Sequence, residues 1–246
     1  MRYPGPMDTP PSFTTGEIAA MKRAAAGQAA TLVHSGMAVG LGHGSTAVAV
    51  VPFLAKRVRQ GELSDVVFVP ASRFMAEALR REALPVAALD DVPRLDIDID
   101  GADEIDPAGD CIKGGGGALL YEKIVAQAAR RLVIVADVGK LSPRLGARHA
   151  LPVEITPFAL APELRFLETC GGKPTVRLRP DGDPMRTERG NVIADCAFGP
   201  LVDPAGLAAR LDARGGVAGH GLFLGMADRI LVAGPDGVRE ITPPGR

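Results

Sequence analysis

The sequence predicts an α/β protein: a doubly wound, mostly parallel, Rossmann-like sheet with an inserted smaller α+β, ferredoxin-like domain. Three observations predict it. Short apolar runs, MAVGLG (37–42), DVVFVP (65–70) and LVIVAD (132–137), have the composition of strands buried on both faces. Helical stretches lie between them, which is the rhythm of βαβ units. After about Leu145 the rhythm changes to strand, helix, strand, strand, helix, the order of a small domain with an antiparallel sheet.

Taken in order, residues 17–34 are rich in alanine at helical spacing, and 37–42 is a strand ending on glycines. STAVAVVPFLAKRVRQG (45–61) reads as one helix, with Ser45 near its start and Gly61 past its end. The strand 65–70 leads into a helix over 72–84. LDIDID (95–100) alternates strictly, the period of a strand. ALLYEKIVAQAARR (118–131) reads as a helix running into the strand 132–137. In the second part, 151–158, 175–179 and 191–198 are expected strands, and 162–172 and 204–216 are helices ending on glycines. RILVAGPDGVREI (229–241) returns to strand character around a Pro-Asp-Gly turn. It is expected to rejoin the first sheet, which makes the small domain an insertion. The expected organisation is a frayed, proline-rich tail over 1–15, a large α/β domain over 16–145 plus 221–246, and a small α+β domain over 146–220. Met7 is read as an alternative start.

Composition narrows the function. The 246 residues carry 28 Lys plus Arg against 29 Asp plus Glu, a net charge of −1. No positive excess exists to hold nucleic acid or an anionic membrane, so basic side chains act locally, at a small anion. The three cysteines include no C-x-x-C pair, which argues against a zinc or redox site and suits a reducing, cytoplasmic compartment. The apolar stretch 18–33 is interrupted by Lys22, Arg23 and Gln28, so no signal peptide or membrane span is read.

Three stretches carry chemistry. GLGHGSTA (40–47) lies between a strand and a helix, where backbone N–H groups and the helix dipole favour an anion. Gly42-x-Gly44-x-x-Ala47 satisfies a relaxed dinucleotide fingerprint, but the next strand ends in Pro70-Ala71-Ser72 and lacks the acid that grips a ribose. A phosphate is the better reading, with a plain tight turn as the bland one. In LDIDIDGADEID, Asp96 and Asp98 read as the polar face of a solvated strand. Asp100 and Asp103 fall at its carboxyl end, where open α/β sheets bind ligands. The acids match no calcium-loop spacing and have no histidine nearby, so no metal site is read. KGGGGALLYEK (113–123) is not a Walker loop, because no G-K-[ST] follows the glycines. Four glycines in a row make sense where backbone approaches a ligand closely. Singly, Glu122 and Lys123 read as an exposed helix pair; beside Lys113 and the glycines they read as a site. Lys140 follows the carboxyl end of a strand, a place for a phosphate contact.

In these motifs the sequence resembles the type A ribose-5-phosphate isomerases over about 17–242. The resemblance rests on Gly42-His43-Gly44-Ser45-Thr46, Asp100-Gly101-Ala102-Asp103-Glu104, Lys113-Gly114-Gly115-Gly116 with Glu122-Lys123, Leu151-Pro152-Val153-Glu154, Gly190-Asn191-Val192-Ile193 and HGLFLGMAD (220–228). It implies an isomerase without cofactor or metal that interconverts ribose 5-phosphate and ribulose 5-phosphate through a cis-enediolate. It implies Glu122 as general base, Lys113 as the group steadying the enediolate, and Asp100 and Asp103 as the acids handling sugar hydroxyls. Gly42, His43, Gly44, Ser45, Thr46 and Lys140 match the phosphate grip, with Lys22 a lesser addition, and Gly114, Gly115 and Gly116 match the substrate loop. The small domain resembles a lid or oligomer-contact domain, and a homodimer or homotetramer is implied. The chain departs from the family at His43, usually threonine, at Ala71 and Phe74, where hydroxyl residues are usual, and at Val138-Gly139. Those departures keep open a related isomerase of another sugar phosphate. A non-catalytic sugar-phosphate sensor and a coenzyme A transferase-like enzyme are further alternatives. A sensor carries a DNA-binding module, for which the roughly 35 residues before the first strand are too few.

Overall fold

A computed structural model describes residues 13–244. The expected tail lies, as far as residue 12, outside the described residues, and so does Met7. In chain order the elements are α1 (Thr15–Ala30), β1 (Ala38–Leu41), α2 (Ser45–Val48), α3 (Val51–Arg59), β2 (Val67–Pro70), α4 (Arg73–Arg81), β3 (Ile97–Gly101), β4 (Glu104–Ile105) and β5 (Cys111–Ile112). They continue with α5 (Leu119–Ala128), β6 (Leu132–Asp137), β7 (Leu151–Ile155), α6 (Leu160–Thr169), β8 (Lys173–Val176), β9 (Val192–Ala197), α7 (Pro204–Asp212), β10 (Val217–His220), β11 (Leu222–Phe223), β12 (Ala227–Gly234) and β13 (Gly237–Ile241). The described residues divide into two compact units, 13–102 with Tyr121–Leu141 and 226–244, and Asp103–Leu120 with Ser142–Gly225.

The first unit holds a six-stranded sheet in the order β13-β12-β6-β3-β1-β2. All neighbours are parallel except β12 and β13, which form a hairpin. Strand β2 adds on one side of β1 and β3 on the other. The order therefore reverses between β1 and β3, and their carboxyl ends are where such a sheet opens to a ligand. The Thr14 hydroxyl caps α1 by accepting from Glu17 N, and the Glu17 carboxylate accepts from Thr14 N. That helix buries Met21, Ala25, Ala26, Ala29 and Ala30 and packs on β6, β12 and β13.

Two expectations fail in this unit. The helix over 45–61 is broken into α2 and α3. Pro52 has no N–H to donate to Val48, and its ring crowds that carbonyl, so the ladder restarts at Val51. Asp98 is not solvated: Ile97, Asp98, Ile99 and Asp100 are all 0% exposed. Strand β3 sits in the middle of a parallel sheet covered on both faces, so alternation here marks two buried faces rather than one.

The second unit contains the sheet β10-β7-β9-β8, antiparallel throughout. The sequence order β7-α6-β8-β9-α7-β10 with that pairing is the ferredoxin-like arrangement. Its core gathers Leu151, Val153, Ile155, Leu167, Ala194 and Leu211. A further small sheet runs β11-β5-β4. Residues 103–120, expected with the large domain, belong here because β4 and β5 pair within that small sheet. The buried Glu104 carboxylate also binds them in. It accepts from the backbone N–H of Gly146 (2.8 Å), Arg148 (3.0 Å) and His149 (3.4 Å). No described helix is long and apolar enough to cross a membrane.

Candidate active site

In the first unit, the carboxyl end of β1 runs straight into the 42–46 loop. Gly42 N donates to Ile99 O at 3.0 Å, which lays the loop against the end of β3. A Cβ on Gly42 would sit 1.8 Å from Cγ and Oδ1 of Asp100, so only glycine lets the loop backbone pass that close to the carboxylate. Asp100 Oδ1 accepts from Gly101 N at 2.7 Å and is fully buried. Lys22 reaches from α1 and donates from Nζ to Ser45 Oγ at 2.9 Å. His43 Nδ1 lies 2.9 Å from Ser72 Oγ, and its ring meets Phe74 edge-on at 5.3 Å between centroids. Ser72 Oγ in turn caps α4 by accepting from Met75 N. The expected dipole contribution at this loop is not built, since α2 is only four residues long. Lys22 brings a cation to this loop, at the Ser45 hydroxyl.

Lys140 is half-buried in a 3-10 turn (Val138–Lys140) just past β6, on the strand next to β3. Asp137 Oδ1 accepts from Gly139 N and shapes that turn. Helix α5 returns the chain to the start of β6, so its first turn lies on the carboxyl side of the sheet. Glu122 is in that first turn and only 4% exposed. The exposed-pair reading of Glu122 therefore fails. The first unit thus brings the 42–46 loop, Asp100, Lys140, Lys22 and Glu122 to one edge of its sheet.

In the second unit, Lys113 follows β5. Its N donates to Gly221 O at 2.9 Å, and its Nζ lies 5.3 Å from the centre of the Phe223 ring. The side chain is 2% exposed, so the ammonium has been drawn out of water onto an aromatic face. Gly117 N donates to Gly114 O, closing a turn whose end residues have φ of +84° and +111°. Asp103 Oδ2 accepts from Gly115 N at 2.7 Å. Lys113, Gly114, Gly115, Gly116 and Asp103 are thus gathered in one loop region. Sequence reasoning missed Phe223 and Arg177, whose Nη1 donates to the Gly114 and Gly115 carbonyls. Phe223 lies within the quoted HGLFLGMAD motif, whereas Arg177 in TVRLR looks like any polar strand residue. Among the described residues, no three His, Cys, Asp or Glu side chains are grouped to hold a metal ion.

This arrangement can be set beside known proteins. The family model for ribose 5-phosphate isomerase A (phosphoriboisomerase A) matches residues 67–237. Ribose-5-phosphate isomerase A of Chloroflexus aurantiacus is 52% identical over 221 residues, 90% of this chain and 92% of that one. A solved D-ribose-5-phosphate isomerase in complex with phospho-erythronic acid superposes with a TM-score of 0.89 at 33% identity, over 92% of this chain and 99% of the other. The Methanocaldococcus jannaschii ribose 5-phosphate isomerase A gives 0.86 at 35% identity, over 91% and 98%. The chain therefore belongs to the ribose-5-phosphate isomerase A family, enzymes that interconvert ribose 5-phosphate and ribulose 5-phosphate.

Proposed function

We propose that Glu122 is the base of this isomerisation. Its carboxylate takes the proton from C2 of the open-chain aldose and returns it to C1. The O2 hydroxyl proton passes to O1, so atoms balance and no redox partner is needed. Between the two transfers the substrate is a cis-enediolate. Lys113 supplies the positive charge that this anion requires, and a desolvated ammonium is worth more there than one in water. Asp100 and Asp103 manage the sugar hydroxyls and ring opening. The 42–46 loop (Gly42, His43, Gly44, Ser45 and Thr46), Lys140 and Lys22 hold the phosphate, and Gly114, Gly115 and Gly116 bring backbone to the substrate.

The observation that carries this reading is burial. Ionisable side chains are seldom taken out of water without a structural or chemical use, and Glu122 at 4% and Lys113 at 2% exposed are buried ones that also fall on the motifs shared with the family. The phospho-erythronic acid bound by the solved relative supports passage through an enediolate, because its carboxylate offers two oxygens much as an enediolate does. The free cysteines Cys111, Cys170 and Cys196 support a reducing, cytoplasmic setting. The working form is a homodimer or homotetramer. The test is Glu122→Gln, which keeps shape and removes the base. It should lose turnover by about 10²-fold or more while still binding ribose 5-phosphate, as read by calorimetry. Near-normal turnover in that variant overturns the assignment.

A further inference from the structure

A run of glycines is the part of a chain that loses most freedom on ordering, so a catalytic loop built from one needs external restraint. In the second unit that restraint comes from a charged pair outside the residues assigned above. Arg177 follows β8, and its side chain is 15% exposed. Its Nε donates to Asp195 Oδ2 at 2.8 Å and its Nη2 to Asp195 Oδ1 at 2.5 Å, a two-pronged pairing that fixes the guanidinium plane. The remaining arm, Nη1, donates to Gly114 O at 2.9 Å and Gly115 O at 3.0 Å. On the amide side, Asp103 accepts from Gly115 N. The peptide units next to Lys113 are thus held through their carbonyls by a cation and through an amide by an anion.

We propose that Arg177, braced by Asp195, is a positioning residue for the isomerisation: it fixes the Gly114–Gly116 loop and, through the chain, the placement of Lys113. An arginine is needed because one planar group must bind Asp195 with two nitrogens while a third reaches two carbonyls; a lysine offers a single point charge. The proposal rests on reading Lys113 and the glycine loop as part of the catalytic centre.

The experiment is steady-state kinetics on Arg177→Ala, Arg177→Lys and Asp195→Asn, with Lys113→Ala as reference. Misplacement of a catalytic group by an ångström costs about 10²-fold, so both Arg177 variants should lose about 10- to 100-fold in kcat. KM should stay within about threefold, the split expected when an interaction serves the transition state. Asp195→Asn should lose less, because the neutral amide still accepts one hydrogen bond. Added guanidinium ion, at concentrations far below denaturing, should restore part of the kcat of Arg177→Ala and none of Arg177→Lys, whose side chain fills the space. Turnover within twofold of wild type in either Arg177 variant overturns the proposal. So does a loss that tracks only a fall in Tm and shows no rescue. If Arg177→Ala does not fold, Arg177→Lys, which keeps the charge beside Asp195, decides alone. Full turnover in Lys113→Ala refutes the underlying reading of the centre. An inactive Lys113→Ala beside fully active Arg177 variants refutes the clamp alone.

Discussion

The close approach of the 42–46 loop to Asp100 makes Gly42→Ala the sharpest perturbation of the first unit. The new Cβ would lie 1.8 Å from Asp100 Cγ and Oδ1 and 2.3 Å from Oδ2. Carbon atoms rest at roughly 3.5 Å or more, so loop or carboxylate must give way by about 1.7 Å. The carboxylate is fully buried and tied to Gly101 N, and the loop is tied to Ile99 O, so neither moves freely. Overpacking of this kind costs about 1–3 kcal/mol of stability. At about 2–4 °C per kcal/mol for a chain of this size, Tm should fall by several degrees. If Asp100 handles the sugar as proposed, a shift of more than 1 Å in its carboxylate should cost about 10²-fold in kcat/KM, about 2.7 kcal/mol of transition-state stabilisation. Gly44→Ala is the matched control. Its Cβ would meet nothing within 4 Å, but φ of +101° with ψ of 174° is a region kept almost wholly to glycine, so it adds backbone strain of about 1–3 kcal/mol without touching Asp100. The assay is ketose formation from ribose 5-phosphate beside thermal melts of both variants. A Gly42→Ala enzyme with kcat/KM within threefold of wild type would refute the placement of Asp100 or its part in turnover. Equal kinetic losses in the two variants would show that strain in the loop, rather than displacement of the acid, is responsible.

Lys140→Ala should raise KM for ribose 5-phosphate by about 10-fold or more with little change in kcat, since a phosphate contact made equally in ground and transition states is uniform binding; an unchanged KM removes Lys140 from the phosphate grip. His43→Thr gives up the Ser72 contact and the edge-on packing against Phe74, so Tm should drop by a few degrees, while the recovered hydroxyl should lower KM for ribose 5-phosphate relative to other pentose phosphates; a higher KM would make the imidazole the better phosphate partner. Asp106 has its carboxyl held above the ordinary aspartate range, first by desolvation and then by the nearby Asp110 charge. The folded state therefore binds the proton more tightly than the unfolded one. Its contribution to stability is fully present below the unfolded value and is lost as pH rises through the folded one. Asp106→Asn keeps the oxygen that accepts from Ala108 and Asp110 N–H, so it should raise Tm at neutral pH and lose that advantage in acid; a lower Tm at neutral pH contradicts the assignment.

What could be read in the sequence was whatever repeats locally. Strand β6 is a run of five apolar residues ending on Asp137, and the structure buries every residue of it. The hairpin β12–β13 follows from a Pro-Asp-Gly turn. What could not be read depends on partners far along the chain. Strands β4, β5 and β11 have two residues each, too few to show any period, and exist because they find each other. The burial of Asp98 depends on β3 being central, which is a property of strand order. Arg177 gains its place only when residues 177 and 195 meet the loop at 114–115, and nothing in TVRLR records that meeting.

The glycines show the same limit at finer grain, because one letter answers several physical demands. Gly40 and Gly42 carry ordinary backbone angles and are needed for what lies beside them. A Cβ on Gly40 would fall 2.6 Å from Val125 Cγ1 and 2.8 Å from Asp98 Oδ1. These two glycines let acids of β3 sit flush against β1 and the loop after it. In the run 114–117 the reasons divide. Gly114 and Gly117 are required by positive φ, and Gly115 by its closeness to Asp103, where a Cβ would sit 2.9 Å from Oδ1. The run is therefore not a flexible strap that closes on substrate. It is a tight turn whose shape is dictated at three of its positions and held by Asp103 and Arg177. Flexibility would divert binding energy to ordering the loop at each turnover; under the proposed function, a turn fixed in advance leaves that energy for the enediolate.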